Sequence, residues 1–282
     1  MSERTADVDW PKCDDNACIG IRLTPDDPCL AHAGPEAREA ALKRLGETGE
    51  LDVRGVAITP ALLKEVLAAA PHDPHGCPAF RHVVFTKATF EDDAGFEFER
   101  ATFEGAAVFD GATFEGTARF DKATFQGAAQ FIGATFQGTT AFFLARFQGE
   151  ARFVGARFQG AARFDGATFE DTAQFNGATF EGDSRFEIAI QDIAGFVRAR
   201  FQGAARFEER PSRALPGSTG RPSRAPPGST KTFQGAAQFV RATFQGTAWF
   251  VGAEFQGTAQ FVRATFYRAT GFGEVVCELS WD

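Results

Sequence analysis

Phenylalanine sets the pattern of this chain. Between residues 98 and 207 it recurs in alternating steps of five and six, at 98, 103, 109, 114, 120, 125, 131, 136 and onward, and the series returns from 233 to 272. An Ala stands two residues before most of these positions and a Gly two after, as in Ala112, Phe114 and Gly116. Residues two apart lie on one face of an extended strand, so Ala112 and Phe114 turn inward while Thr113 and Glu115 turn to water. Gly116 then reads as a corner, where the lack of a Cβ frees the backbone. A helix does not fit, because steps of five and six scatter the phenylalanines around its axis and a glycine in nearly every unit costs about 1 kcal/mol each. The true period is eleven residues, as ATFEGTARFDK (112–122) is followed by ATFQGAAQFIG (123–133). Strands this short cannot bury an apolar face alone, so the pattern predicts a solenoid whose stacked coils enclose a phenylalanine core.

The half-units ATFEG, ARFDK, ATFQG and AQFIG resemble those of the pentapeptide-repeat family, with a small residue two before a central Leu or Phe and a Gly two after. The resemblance covers about 60% of the chain. It implies a right-handed, quadrilateral-type parallel β-helix in which four units close a square turn with the central residue inside. This chain departs from that pattern by one extra residue in every second unit, Thr117 or Ala128 for instance. If four units still close a turn, a coil holds 22 residues and two corners absorb the extra ones. The expected fold class is thus an all-β solenoid behind a small helical N-terminal region. Its register slips by two residues between Phe96 and Phe98, and one residue is deleted in EIAIQDIAGF, where Ile190 takes the slot of a phenylalanine and Phe196 resumes the series.

The flanks divide into segments. In residues 1–34, Cys13, Cys18, Cys29 and His32 follow one another as CxxxxC, ten residues, then CxxH. Two close donor pairs joined by a short loop suit tetrahedral Zn²⁺ with Cys₃His ligation. The functional reading is a structural zinc knuckle that presents Trp10 and its loop to a partner; the plain reading is three unrelated reduced thiols and a surface histidine. Residues 35–79 read as a helical cap, with PEAREAALKRL opened by Pro35 and closed by Gly46, a strand-like LDVRGVAIT, and a second helix PALLKEVLAAA begun by Thr59 and Pro60. Its Leu63, Val66, Leu67 and Ala70 form one stripe that covers the first coil or, alternatively, meets a partner. His72, His75 and Cys77 form a second group of donor types, which turn composition explains equally well.

The rod is expected over 80–207 and 233–274, interrupted by a Pro/Arg/Ser/Gly-rich insertion at 208–232. Within it, RPSRALPGSTG and RPSRAPPGST are near-duplicates. Codons exist for RPSRALPGSTG that, read two bases further on, encode TFQGAARFD, a repeat unit. Residues 210–230 therefore read as repeat DNA translated between two compensating frame shifts, and gene codons that yield the repeat in no frame would refute that origin. The tail 275–282 lids the last coil or joins the C-terminal coils of two copies in a homodimer.

Charge and chemistry narrow the function. Residues 1–79 hold 8 basic and 14 acidic side chains, a net of −6, whereas 103–207 hold 10 and 12. In sequence Arg119, Arg152, Arg163 and Arg185 alternate with acids and glutamines, so no direct nucleic-acid binding is expected. No apolar run approaches the roughly 20 residues of a membrane span, and MSERTADVDW is unlike a signal peptide, which makes the cytoplasm the expected location and reduced thiols the expected state. All four histidines precede residue 83, leaving the rod without a base for a nucleophile. Gly228 to Thr232 fails the spacing of a phosphate loop. The expected function is a non-catalytic protein-interaction scaffold with an unidentified protein partner. The rival reading is a DNA-mimicking regulator of DNA gyrase or topoisomerase, a role that some pentapeptide-repeat proteins have.

Overall fold

The computed structural model describes residues 8–15, 17–91, 96–207, 232–233, 235–250, 253–255, 257–271 and 279–280. Two-residue strands stack in parallel into four sheets of ten, nine, eight and eight strands. Following the chain around one coil, face I holds strands such as Ala107–Val108, face II Thr113–Phe114, face III Ala118–Arg119 and face IV Thr124–Phe125. Through the regular coils each strand pairs with its equivalent 22 residues on, as in Phe114 with Phe136 and then Phe158. The coil thus has the expected 22 residues, and the longer steps cross the II/III and IV/I corners, where Thr117 and Ala128 lie.

Inside, each regular coil contributes one phenylalanine per face. On face I, Phe109, Phe131, Phe153 and Phe175 stack at 4.8 to 4.9 Å with rings within 2° of parallel. Across the core, rings from the opposite faces I and III meet edge to face, as for Phe131 and Phe142 at 5.7 Å and 82°. Each arrangement suits the ring quadrupole and adds about 0.5–1.5 kcal/mol to simple burial. Ile190 does sit between Phe169 and Phe233 on face IV, buried, and Phe196 rejoins its ladder over Phe175 at 4.9 Å.

The corners correct one expectation. Glycines of the Gly116 type do not carry the left-handed backbone; that falls once per eleven residues at Gly111, Lys122, Gly133 and Leu144, where φ is 55 to 65°. The second glycine is needed for closeness instead. A Cβ on Gly138 would lie 2.5 Å from the carbonyl oxygen of Gly116 on the coil before. The deletion before Ile190 removes a left-handed position, so Ile188 takes the inward slot that Ala167 fills one coil earlier.

The solenoid begins ahead of residue 80. Glu50–Asp52 pairs with His82–Val84 on face I, and Ala57–Ile58 with Thr89–Phe90 on face II. Helix α1 (Pro35–Thr48) runs through Gly46 and ends on Gly49, whose φ of 71° supplies the left-handed stop. Gly46 lies within it because a Cβ there would come within 3.0 Å of the Ala69 carbonyl. Helix α2 (Pro60–Ala69) is capped by the Thr59 hydroxyl, which accepts from the Leu62 amide, and occupies the face III position of the first coil. Leu62, Leu63 and Val66 join the same buried cluster as Phe80 and Phe85, so α2 covers the open end of the core.

Residues 208–231 lie outside the described set, but the coils on either side meet directly. Phe207 stacks on Phe250 at 4.9 Å, 43 residues apart rather than 22, an excess of 21 that equals the length of 210–230. Of the tail, Leu279–Ser280 pairs with Ala259–Gln260 on face I; the rest of 275–282 lies outside the described residues.

Candidate metal centre

The N-terminal loop folds back on itself where Lys12 bridges Ile21 and the Cys13 amide donates to the Gly20 carbonyl at 2.7 Å. This brings Cys13 and Cys18 together. The turn after Cys29, closed by the His32 and Ala33 amides on the Cys29 carbonyl, adds the second pair. All four donor atoms lie within 4.8 Å of one another. Cys18 Sγ is 3.8 Å from Cys29 Sγ, and His32 Nδ1 is 3.4 Å from Cys13 Sγ and 3.5 Å from Cys29 Sγ. A tetrahedral zinc with its usual bond lengths has edges of about 3.8 Å between sulfurs and about 3.5 Å between sulfur and nitrogen.

The surroundings also fit a cation. Backbone amides of Gly20 and Cys29 donate to the sulfurs of Cys18 and Cys13 at 3.4 and 3.5 Å, interactions that favour thiolates. His32 turns its other nitrogen to Asp15, with Nε2 3.4 Å from the carboxylate, the outer partner that orients a metal-binding imidazole. Gly20 is required by packing, since a Cβ there would lie 2.9 Å from Cys29 Cβ and 3.2 Å from Cys18 Sγ. Burial pushes the Cys29 thiol up to about 12 and the Cys18 thiol upward. At Cys13 burial acts the same way, but hydrogen bonds from the Cys29 and Asp15 amides and His32 outweigh it and bring the thiol down to about 7.

Trp10 turns inward, against the expectation that it is displayed on the surface. It is 8% exposed, donates its indole N–H to the Ile19 carbonyl at 2.8 Å, and lies under Arg54 and Lys87 at 5.2 and 5.7 Å. Lys87 belongs to the second coil, and the Ile21 amide donates to Arg54 of the first, so Trp10 fastens the loop to the rod. Sequence patterns could not reveal this, because both cations are distant in the chain. His72, His75 and Cys77 form a turn in which Asp73 accepts from the His75 and Cys77 amides at 2.8 and 2.9 Å. Among the described residues no second group of three such donors converges.

On the rod, outward carboxylates serve the fold. Asp110 and Asp121 accept from the amides of Ile132 and Phe143 one coil on, at 2.9 and 3.0 Å. Arg185 pairs with Asp165 at 3.3 Å and Arg152 with Glu150 at 2.6 Å. The stack also shows what the linear sequence hid: Arg163, Arg185 and Arg206 are consecutive rungs on face III, with Trp249 next. Among the described residues no helix is long and apolar enough to cross a membrane.

A family description of pentapeptide repeats in nine copies matches residues 98–145, 142–190 and 232–276. The gap between the last two matches, 191–231, takes in the 208–231 segment. No curated protein and no solved structure matches the chain.

Proposed function

Taking as premise that this chain belongs to the pentapeptide-repeat family, we propose that it is a non-catalytic scaffold that docks another protein, with a zinc-held N-terminal module sealing its first coil. The convergence of Cys13, Cys18, Cys29 and His32 against that coil carries the reading. Zn²⁺ on these four donors would supply a structural cross-link, replacing thiol protons that burial otherwise holds on Cys18 and Cys29. Asp15 holds the His32 ring, Gly20 gives the sulfurs room, and Trp10 transmits the anchorage to Arg54 and Lys87. Along the rod the repeated side chains are solvated and paired rather than convergent, which supports recognition over reaction.

The test is capture of a cross-linked partner from host lysate by the full chain and by Cys29→Ser. A point variant is used because removing residues 1–79 would also remove the first coil's strands and α2. Capture by both places recognition on the rod, and loss with Cys29→Ser places it on the module. No partner with either bait contradicts the scaffold. The gyrase-regulator reading has the arginine column 163, 185, 206 against it, since imitation of DNA needs dense negative charge. A supercoiling assay with purified gyrase tests it, and inhibition at micromolar protein would reinstate it.

A further inference from the structure

The I/II turns stack into a ridge whose character changes along the rod. At its left-handed position stand Gly111, Gly133, Gly155 and Gly177, then Arg198, Arg241 and Arg263, with φ of 54 to 59° at the three arginines. Glycine is the least costly residue in that conformation, so three arginines in a row are opposed by the backbone. Among the described residues none of the three forms an ion pair, and all three are exposed. The preceding residue is Asp110 at the acidic end, then Ile132 and Val154, Asn176 in the middle, and Val197, Val240 and Val262 beside the arginines. Net charge on the coils follows the same gradient once the 208–231 segment is set aside: residues 80–193 carry 10 basic and 17 acidic side chains, and 194–207 with 232–282 carry 6 and 4.

We propose that this ridge is where two copies of the chain pack side by side and antiparallel, about a two-fold axis through the Asn176–Gly177 rung. A surface whose charge reverses along an axis complements itself under a rotation that reverses the axis. Both copies share the same rung spacing, so a match at one rung is a match at all. The register centred on Asn176 sets Arg198 opposite Gly155, Arg241 opposite Gly133, and Arg263 opposite Gly111 and the Asp110 carboxylate. Each large cation meets a turn without a side chain, and Ile132 and Val154 meet Val240 and Val197. Lys87 falls outside this overlap, where it packs on Trp10. Seven rungs give a ridge about 29 Å long. That is narrower than a standard interface, so the dimer is weak and salt-sensitive.

Sedimentation of the full chain over a range of micromolar concentrations, at low and high salt, tests this. The expected result is a dimer whose dissociation constant rises about tenfold or more in high salt. Replacing Arg198, Arg241 and Arg263 together by glycine keeps the fold, because glycine suits the turn, and should leave a monomer. Asp110→Arg should weaken the dimer, and adding Arg263→Asp should restore it. A monomer under every condition, a dimer indifferent to the triple glycine variant, or a double variant that fails to restore association would overturn the proposal.

Discussion

Two regions of this molecule solve the same problem by opposite means. The rod from Phe98 onward has stacked rings in every coil, whereas the 8–34 loop has buried Trp10, Cys13, Cys29, Leu30 and Ala33 and little else. Repetition lets each coil use its neighbour as core, so the rod's stability rests on no single residue. The loop has no neighbour of its own kind and relies on four donor atoms and one tryptophan. Regularity distributes stability; a metal centre concentrates it.

That contrast predicts an order of effects. Stripping metal with a chelator should have the largest one, unfolding residues 8–34 and loosening strands 50–58, while the rod keeps its protection; hydrogen exchange by region reads this directly. Phe142→Ala should cost about 3–5 kcal/mol of rod stability in denaturant titration, since its ring stacks on Phe120 and Phe164 at 4.9 and 5.0 Å. It should leave metal content unchanged. Leu144→Gly should stabilise the rod by about 1 kcal/mol, because a left-handed Leu that is 47% exposed gives up strain and little burial.

The smallest effect concerns Asp110. Burial raises its carboxyl above the ordinary value despite the Ile132 amide and Arg152. A carboxyl raised in the folded state favours folding when protonated, and that advantage is lost as pH rises from the unfolded value through the folded one. Asp110→Asn should therefore match the parent at low pH and exceed it at neutral pH by less than about 1 kcal/mol in a half-exposed site. High salt, which separates the proposed dimer, is the medium for that comparison. Asn176 shows the substitution is compatible, since its side-chain oxygen accepts from the Val197 amide at 3.0 Å.

The rod was legible in the sequence because its signal is one residue type at fixed spacing. Phe114, Phe136 and Phe158 announce the coil, and the missing ring at Ile190 is visible by contrast. The left-handed turns were not, because Gly111, Lys122 and Leu144 share a backbone and not a chemistry. The first coil hid for a related reason: Val53 and Ile58 occupy the places of phenylalanines without belonging to the repeat. In the candidate metal centre the four donors could be read from spacing, while Asp15 and the burial of Trp10 depend on how the loop closes on the rod.

The most direct test of the account is the metal content of the full chain purified without added metal, beside that of Cys29→Ser. We predict about one zinc per parent chain and none in the variant, with the rod's far-ultraviolet spectrum unchanged. A parent chain without metal that still protects residues 8–34 from exchange, or a variant that retains the ion, would contradict the metal-sealed rod.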